Sequence, residues 1–178
     1  MGLDPAAVLT LFRKDIWRAQ VRDALRYWVV IPGAVLATGK AFDLLTGLPP
    51  LPGRSLLTVG AGLLLAAGLL LIWRAIRDLQ VLGQGTPNPA RPPKRLVTAG
   101  SYAFCRHPMF LGYDMAALGV VLLCRSPGML VVALPLFLLW EIRFLKKEER
   151  FLARRFRADF QRYRQEVPFL LPLPFRHR

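Results

Sequence analysis

Four long apolar blocks, set between segments dense in cations, constrain this chain more than any other feature. They run from Ala24 to Leu45, with Arg26, Lys40 and Asp43 near the ends; from Ser55 to Trp73, with no charge across 19 residues; from Met109 to Cys124, with Asp114 as its single acid; and from Pro127 to Trp140, uncharged until Glu141. Nineteen helical residues cross about one bilayer core. The last two blocks are shorter, so flanking residues must extend them or they form a thin helical hairpin. A content of 54% hydrophobic residues beside a formal charge of +14 is unusual for a soluble globule. The two are compatible when apolar blocks sit in lipid and cations flank them.

The cations are placed accordingly. Lys and Arg number five ahead of the first block's apolar stretch, two between the first and second blocks, six between the second and third, one between the third and fourth, and eleven after the fourth. With four spans, alternate segments share a side, giving 22 cations against 3. That bias predicts an integral, multi-pass membrane protein with both termini cytoplasmic. It also suits anionic membrane lipids as partners, each basic residue near the surface contributing about 1 kcal/mol. No recognisable nucleic-acid module accompanies the charge, so no nucleic-acid partner is expected. No metal is expected either, since the chain has only two histidines, His107 and His177. Cys105 and Cys124 are too few for a disulfide framework. The opening residues lack Ser or Thr at Ala6, where a myristoylation signal wants one, so the first span is expected to do the targeting.

The expected fold is therefore an all-α integral membrane protein: one domain over residues 1–178, with about four transmembrane helices plus N-terminal and C-terminal amphipathic helices. Asp4 to Asp23 places Val8, Leu11, Phe12, Ile16 and Ala19 on one face and reads as an interfacial helix leading into the first two spans. In the second block Gly60, Gly62, Ala66, Ala67 and Gly68 offer small residues for close helix approach. Gly83 to Ser101 is a long connection with four prolines and three glycines, the kind of loop on which function tends to concentrate. After the fourth block, a 100° step puts Leu145, Leu152, Phe156, Phe160, Tyr163 and Val167 on one stripe. Lys146, Lys147, Arg150, Arg154, Arg157 and Arg164 fall opposite.

Two acids break that pattern. Glu149 lies within about 20° of the stripe's centre and Glu148 flanks it. Salt bridges to Lys146, Arg150 or Arg155 are one explanation, and a cationic ligand is the other. A second constellation is Gly100-Ser101-Tyr102-Ala103-Phe104-Cys105-Arg106-His107-Pro108, continuing to Gly112. Pro108 suits the first turn of a helix, which sets Arg106 and His107 at the cytoplasmic mouth of the third span. Alone, that basic pair is ordinary positive-inside flanking. Asp114, two turns into a short span, is either hydrated near the interface or functional.

Together, Gly100-x-Tyr102-x-x-x-Arg106-His107-Pro108, Gly112, an apolar hairpin, Glu148-Glu149-x-x-Leu152-x-x-x-Phe156, Tyr163 and Val167-Pro168 resemble the isoprenylcysteine carboxyl methyltransferase family. They are similar, more distantly, to phosphatidylethanolamine N-methyltransferases. The resemblance implies a small helical membrane enzyme that takes a methyl group from S-adenosyl-L-methionine and gives it to a lipid-like acceptor. By that resemblance residues 83–168 form the cofactor-binding half, with Arg106, His107, Pro108, Glu148 and Glu149 lining the site and Arg106 and His107 as the catalytic candidates. Gly83-Gln84-Gly85-Thr86 also looks like the Gly-x-Gly cofactor segment of the phospholipid enzymes, although a helix C-cap explains Gly83 equally. Tyr102 with Phe104 offers an apolar slot for adenine.

The sequence departs from the family in its Phe-Gly-x-x-Tyr-x-x-Tyr run. It reads Phe156-Arg157-Ala158-Asp159-Phe160-Gln161-Arg162-Tyr163, which loses the Gly and the first Tyr. The expected reaction is O-methylation of a carboxyl group, which attacks already ionised and needs no general base. The rivals are phospholipid N-methylation, and a non-catalytic scaffold or transporter subunit in which both constellations are flanking charge.

Overall fold

The computed structural model describes residues 29–53, 55–87 and 92–171, and the described residues are helical with no strand. The amphipathic segment expected over residues 4–23, and His177, lie outside them. In chain order the helices are α1 (Ile31–Thr46), α2 (Ser55–Val81), a short 3-10 helix (Gly100–Ala103), α3 (Pro108–Leu123), a π-helical turn (Met129–Ala133) and α4 (Leu134–Glu166).

The tightest seam joins α2 to α3. Ala61, Gly68, Ile72 and Ala75 are the buried residues of α2, and Pro108, Gly112, Ala116 and Gly119 are among those of α3. Both sets follow helical spacing and are mostly small, so the backbones approach closely. A Cβ on Gly112 would stand 2.7 Å from the Gly68 carbonyl oxygen, and one on Gly119 would stand 2.8 Å from that of Ala61. That register is antiparallel. Of the small residues expected to serve this seam, Gly68 does so. Gly60 faces open space, as does Gly62, and Ala66 and Ala67 are exposed, because the helical period turns all four away from α3.

At one end of the bundle, the proline-rich α1–α2 loop and the short α3–α4 turn are tied together. The Leu51 amide donates to the Arg125 carbonyl at 2.9 Å, and Arg125 Nε donates back to the Leu51 carbonyl at 2.6 Å. Asp43 of α1 accepts from the Ser126 hydroxyl and, at 2.6 Å, from the Gly128 amide. These bonds pair backbone groups that a turn would otherwise leave without a partner.

Outward faces are apolar. Leu56, Leu63, Leu70 and Trp73 on α2 are exposed, as are Leu136, Leu139 and Trp140 on α4. α2 has 27 residues with a mean hydropathy of 2.3 over its most apolar window, and it is the one described helix both long and apolar enough to cross a membrane; α3 is a shorter apolar helix. Membrane association follows from that exterior. The second half of the fourth apolar block and the C-terminal amphipathic segment, expected as separate helices, share α4, which runs without a break from Leu134 to a kink at Arg157, about 35 Å, and outruns a bilayer core.

The stripe on α4 is buried as its spacing predicts. Leu145, Glu149, Phe160 and Tyr163 face inward, while Lys146, Lys147, Arg150 and Arg154 are exposed. The helix kinks at Arg157, whose backbone takes φ 45° and ψ −115°. Beyond the kink, Phe160, Tyr163 and Val167 pack with Leu96, Leu152 and Phe156, which turns the helix end back over the loop ahead of α3.

Candidate functional site

The loop between α2 and α3 is fixed by a residue the sequence did not single out. Asp78, in the last turn of α2, accepts from the Ser101 amide at 2.7 Å and from its hydroxyl at 2.6 Å. Gly100 has φ +67°, and a Cβ there would lie 2.5 Å from Asp78 Oδ2, so this motif position needs glycine both for conformation and for space. An acid 23 residues upstream leaves no local signal of this pairing.

Pro108 opens α3 at its first turn, with His107 as the N-cap residue. Arg106 is the hub. Its Nε donates to Glu149 Oε1 at 2.5 Å, and its Nη1 donates to the carbonyls of Val167 at 2.6 Å and Arg164 at 3.1 Å. Its backbone amide reaches the Pro168 carbonyl at 2.9 Å. The Phe169 ring covers its guanidinium at 5.5 Å and meets the His107 ring edge-on at 5.0 Å. Residues 164–169 therefore fold across Arg106 and His107, anchored further by the Tyr163 hydroxyl on the Tyr102 carbonyl at 2.7 Å.

His107 Nε2 stands 3.5 Å from the same Glu149 oxygen yet has no hydrogen-bond partner. Burial pushes the Glu149 carboxyl up, but the side chains of His107 and Arg106 outweigh it and hold it below the usual carboxylate range. Glu148 is the reverse case. Burial raises it, the charge of His107 opposes and that of Glu149 adds, and the net direction is upward. Its Oε2 is buried with no hydrogen-bond partner. Burial likewise raises Tyr102 and Tyr163, and pushes the Cys105 thiol up to about 11.

The structure thus brings Arg106, His107, Glu148, Glu149 and Pro108 together. Tyr102 is adjacent but packed against Ala75 and Val97, while Phe104 is 69% exposed, so the two rings do not form one slot. Gly83 and Gly85 stand apart. Their amides donate to the Leu79 carbonyl; a Cβ on Gly83 would meet that carbonyl oxygen at 2.7 Å and Val97 at 2.9 Å, and one on Gly85 would collide with the Pro93 backbone. The left-handed residue that follows α2 is Gln84 and not Gly83, and Gly85 borders a cleft of about 620 Å³ shared with Gln80, Lys94 and Arg155, not with Arg106 or Glu149. Asp114 lies deeper on α3, facing Glu141 of α4, whose partnership the sequence did not reveal. No group of three or more metal-ligating side chains occurs among the described residues.

The phospholipid methyltransferase family model matches residues 56–159, more than half of the chain. The chain belongs to the phospholipid methyltransferase family. This bears out the family resemblance read from the sequence. Among curated proteins, this family member is 34% identical over 79 residues to a protein-S-isoprenylcysteine O-methyltransferase of Saccharomyces cerevisiae, and 37% identical over 79 residues to one of Schizosaccharomyces pombe. The matches cover 43% and 44% of this chain, and 32% and 33% of those relatives. A cobalt-zinc-cadmium resistance protein CzcN of Cupriavidus metallidurans is 32% identical over 82 residues, covering 46% of this chain and 38% of that protein. The matched part spans about a third of the length of the curated relatives. No solved structure matches.

Proposed function

We propose that this chain is an S-adenosyl-L-methionine-dependent methyltransferase that modifies a carboxyl group of a membrane-embedded, lipid-like acceptor. The observation that carries the reading is the pair of buried, unpartnered atoms His107 Nε2 and Glu148 Oε2 beside a compensated Arg106–Glu149 pair. A desolvated carboxyl with no partner costs free energy unless a ligand completes it. S-adenosyl-L-methionine matches the Glu148 carboxyl in charge, because it carries a sulfonium and an ammonium, and when bound it supplies a methyl group on positively charged sulfur.

The residues divide the work. Glu148 faces the cation. Glu149, already paired, holds Arg106, which in turn pins residues 164–169 over the site and excludes water. His107 Nε2, 3.5 Å from Glu149 and buried, is placed to orient the acceptor carboxylate. That group is already ionised at neutral pH, so no side chain has to remove a proton from it. Positioning rather than acid–base chemistry is the protein's contribution. Gly83 and Gly85 shape the loop ahead of the site, and Tyr102 supports it from below.

We further propose four spans, with both termini and the site on the cytoplasmic side, where the basic face of α4 meets anionic lipid. The pairing of the α1–α2 loop with the α3–α4 turn at the opposite end supports this topology. The isoprenylcysteine relatives favour a carboxyl acceptor over an amine.

The test is a titration with labelled S-adenosyl-L-methionine. Glu148→Gln is expected to weaken binding about tenfold or more, as loss of a charge-assisted contact does. Arg154→Gln, on the exposed face, is expected to leave it unchanged. Equal affinities in wild type and both variants would place the donor elsewhere, and no binding by wild type would favour a scaffold.

A further inference from the structure

Among the described residues, four buried side-chain atoms have no hydrogen-bond partner: His107 Nε2, Glu148 Oε2, Asp114 Oδ1 and Glu141 Oε1. All four lie on the seam between α3 and α4. The first two belong to the site above. The other two lie deeper, Asp114 seven residues after His107 and Glu141 seven before Glu148, or two turns and about 10 Å of rise on each helix. Their carboxyls hydrogen-bond to each other across the seam, which leaves Asp114 Oδ1 and Glu141 Oε1 without a partner, and no lysine or arginine is among the groups acting on either. Glu141 is 1% exposed.

Aromatic rings lie a turn or less from the pair along the same two helices. Phe110, one turn before Asp114, packs on Phe144 at 5.8 Å between centroids and on Tyr113 at 6.1 Å; Phe144 stacks on Trp140 at 6.0 Å, with ring planes 16° apart. Buried carboxyls without a counter-charge, on helices that also carry an aromatic cluster, form the kind of surroundings in which an organic cation is held. A metal ion is less well served, since two carboxyls offer no third ligand.

We propose that Asp114 and Glu141 form an inner subsite that binds an organic ammonium group, primary or methylated, of a ligand lodged in the α3–α4 seam. Two turns separate it from His107 and Glu148, so the ammonium is a recognition element and not the group that receives the methyl. The proposal stands on the seam and not on the methyl-transfer reading.

The test uses the full chain in phosphatidylglycerol nanodiscs, which contain no amine-headed lipid. The probes are labelled dodecyltrimethylammonium, delivered through the bilayer, and choline, delivered through water. Saturable binding of the lipid-borne probe is expected, about tenfold weaker in Glu141→Gln and Asp114→Asn. Both variants are expected to retain wild-type affinity for S-adenosyl-L-methionine, which reports the fold and keeps failure here separate from failure of the methyltransferase reading. Displacement by choline would assign a water-borne ammonium and lack of displacement a lipid-borne one, and either supports the subsite. Non-saturable partitioning, or equal affinity in wild type and variants, would mean that the acids share only a proton. In the wild-type chain, a membrane-permeant carbodiimide should label Glu141 or Asp114 more slowly when the ammonium probe is present. Unchanged labelling overturns the proposal independently of any variant.

Discussion

Arg106→Gln separates an organising arginine from a ligand-facing one. In the structure its Nε is spent on Glu149 at 2.5 Å and its Nη1 on the Val167 and Arg164 carbonyls, with the two side chains only 8% and 11% exposed. Removing the guanidinium strands a buried carboxylate, a loss of about 3–5 kcal/mol for a broken buried pair. Glu149→Gln in the same chain removes the stranded charge, so the double variant is expected to be more stable than additivity predicts by about 2–3 kcal/mol. Unfolding in mixed micelles, followed by circular dichroism, gives the four corners of the cycle. Hydrogen exchange at residues 164–169 is expected to accelerate in Arg106→Gln. The sign with pH is fixed as well. Glu149 is held below the usual carboxylate range, so its share of stability is complete above pH 4.5 and is lost as pH falls through its lowered pKa. The gap between wild type and Arg106→Gln should therefore shrink as pH falls, first as the stranded carboxyl of the variant protonates and then as wild type loses its pair. A variant that keeps wild-type stability and loses only donor affinity would refute the organising role.

Gly112→Ala is expected to destabilise by about 1–3 kcal/mol, read as a fall in Tm, because the added Cβ would meet the Gly68 carbonyl oxygen at 2.7 Å and Ile72 Cγ1 at 2.8 Å. Arg157→Gly is expected to stabilise by about 1 kcal/mol, since Arg157 is exposed and its positive φ costs a non-glycine residue of order 1–3 kcal/mol; a lower Tm would contradict the strain argument. Donor binding should follow the ionisation of Glu148, whose pKa is raised above 4.5. Affinity should fall as pH drops through that raised value, and Glu148→Gln should flatten the profile at low affinity.

The buried face of α4 was legible in the sequence, and its partner was not. A 100° step placed Leu145, Glu149, Phe160 and Tyr163 on one stripe of α4, and all four are buried. The same arithmetic cannot say that Arg106, 43 residues away, supplies the counter-charge to Glu149, or that Asp78 caps the loop at Ser101. Both pairings depend on how helices dock. The cations on the α4 face, offered by spacing as local partners for the acids, stay exposed because the helix turns them away from Glu149. The kink was half legible. Arg157 stands where the family pattern has glycine, and the backbone there takes a positive φ, so the departure from the pattern and the strain coincide. Phe104 misled because adjacency to Tyr102 in sequence says nothing about side-chain direction in a 3-10 turn, where the two diverge.

The most direct test of the central claim is to follow the methyl group. Purified full chain, labelled S-adenosyl-L-methionine and a total membrane lipid extract are incubated together, and the organic phase is treated with mild base. A methyl ester releases its label as methanol, whereas an N-methyl group retains it. Methyl transfer to the carboxyl of a lipid-like acceptor predicts label in the organic phase that mild base releases. Base-stable label would contradict the carboxyl acceptor in favour of phospholipid N-methylation. No label in the organic phase, despite measured donor binding, would contradict a lipid-like acceptor altogether.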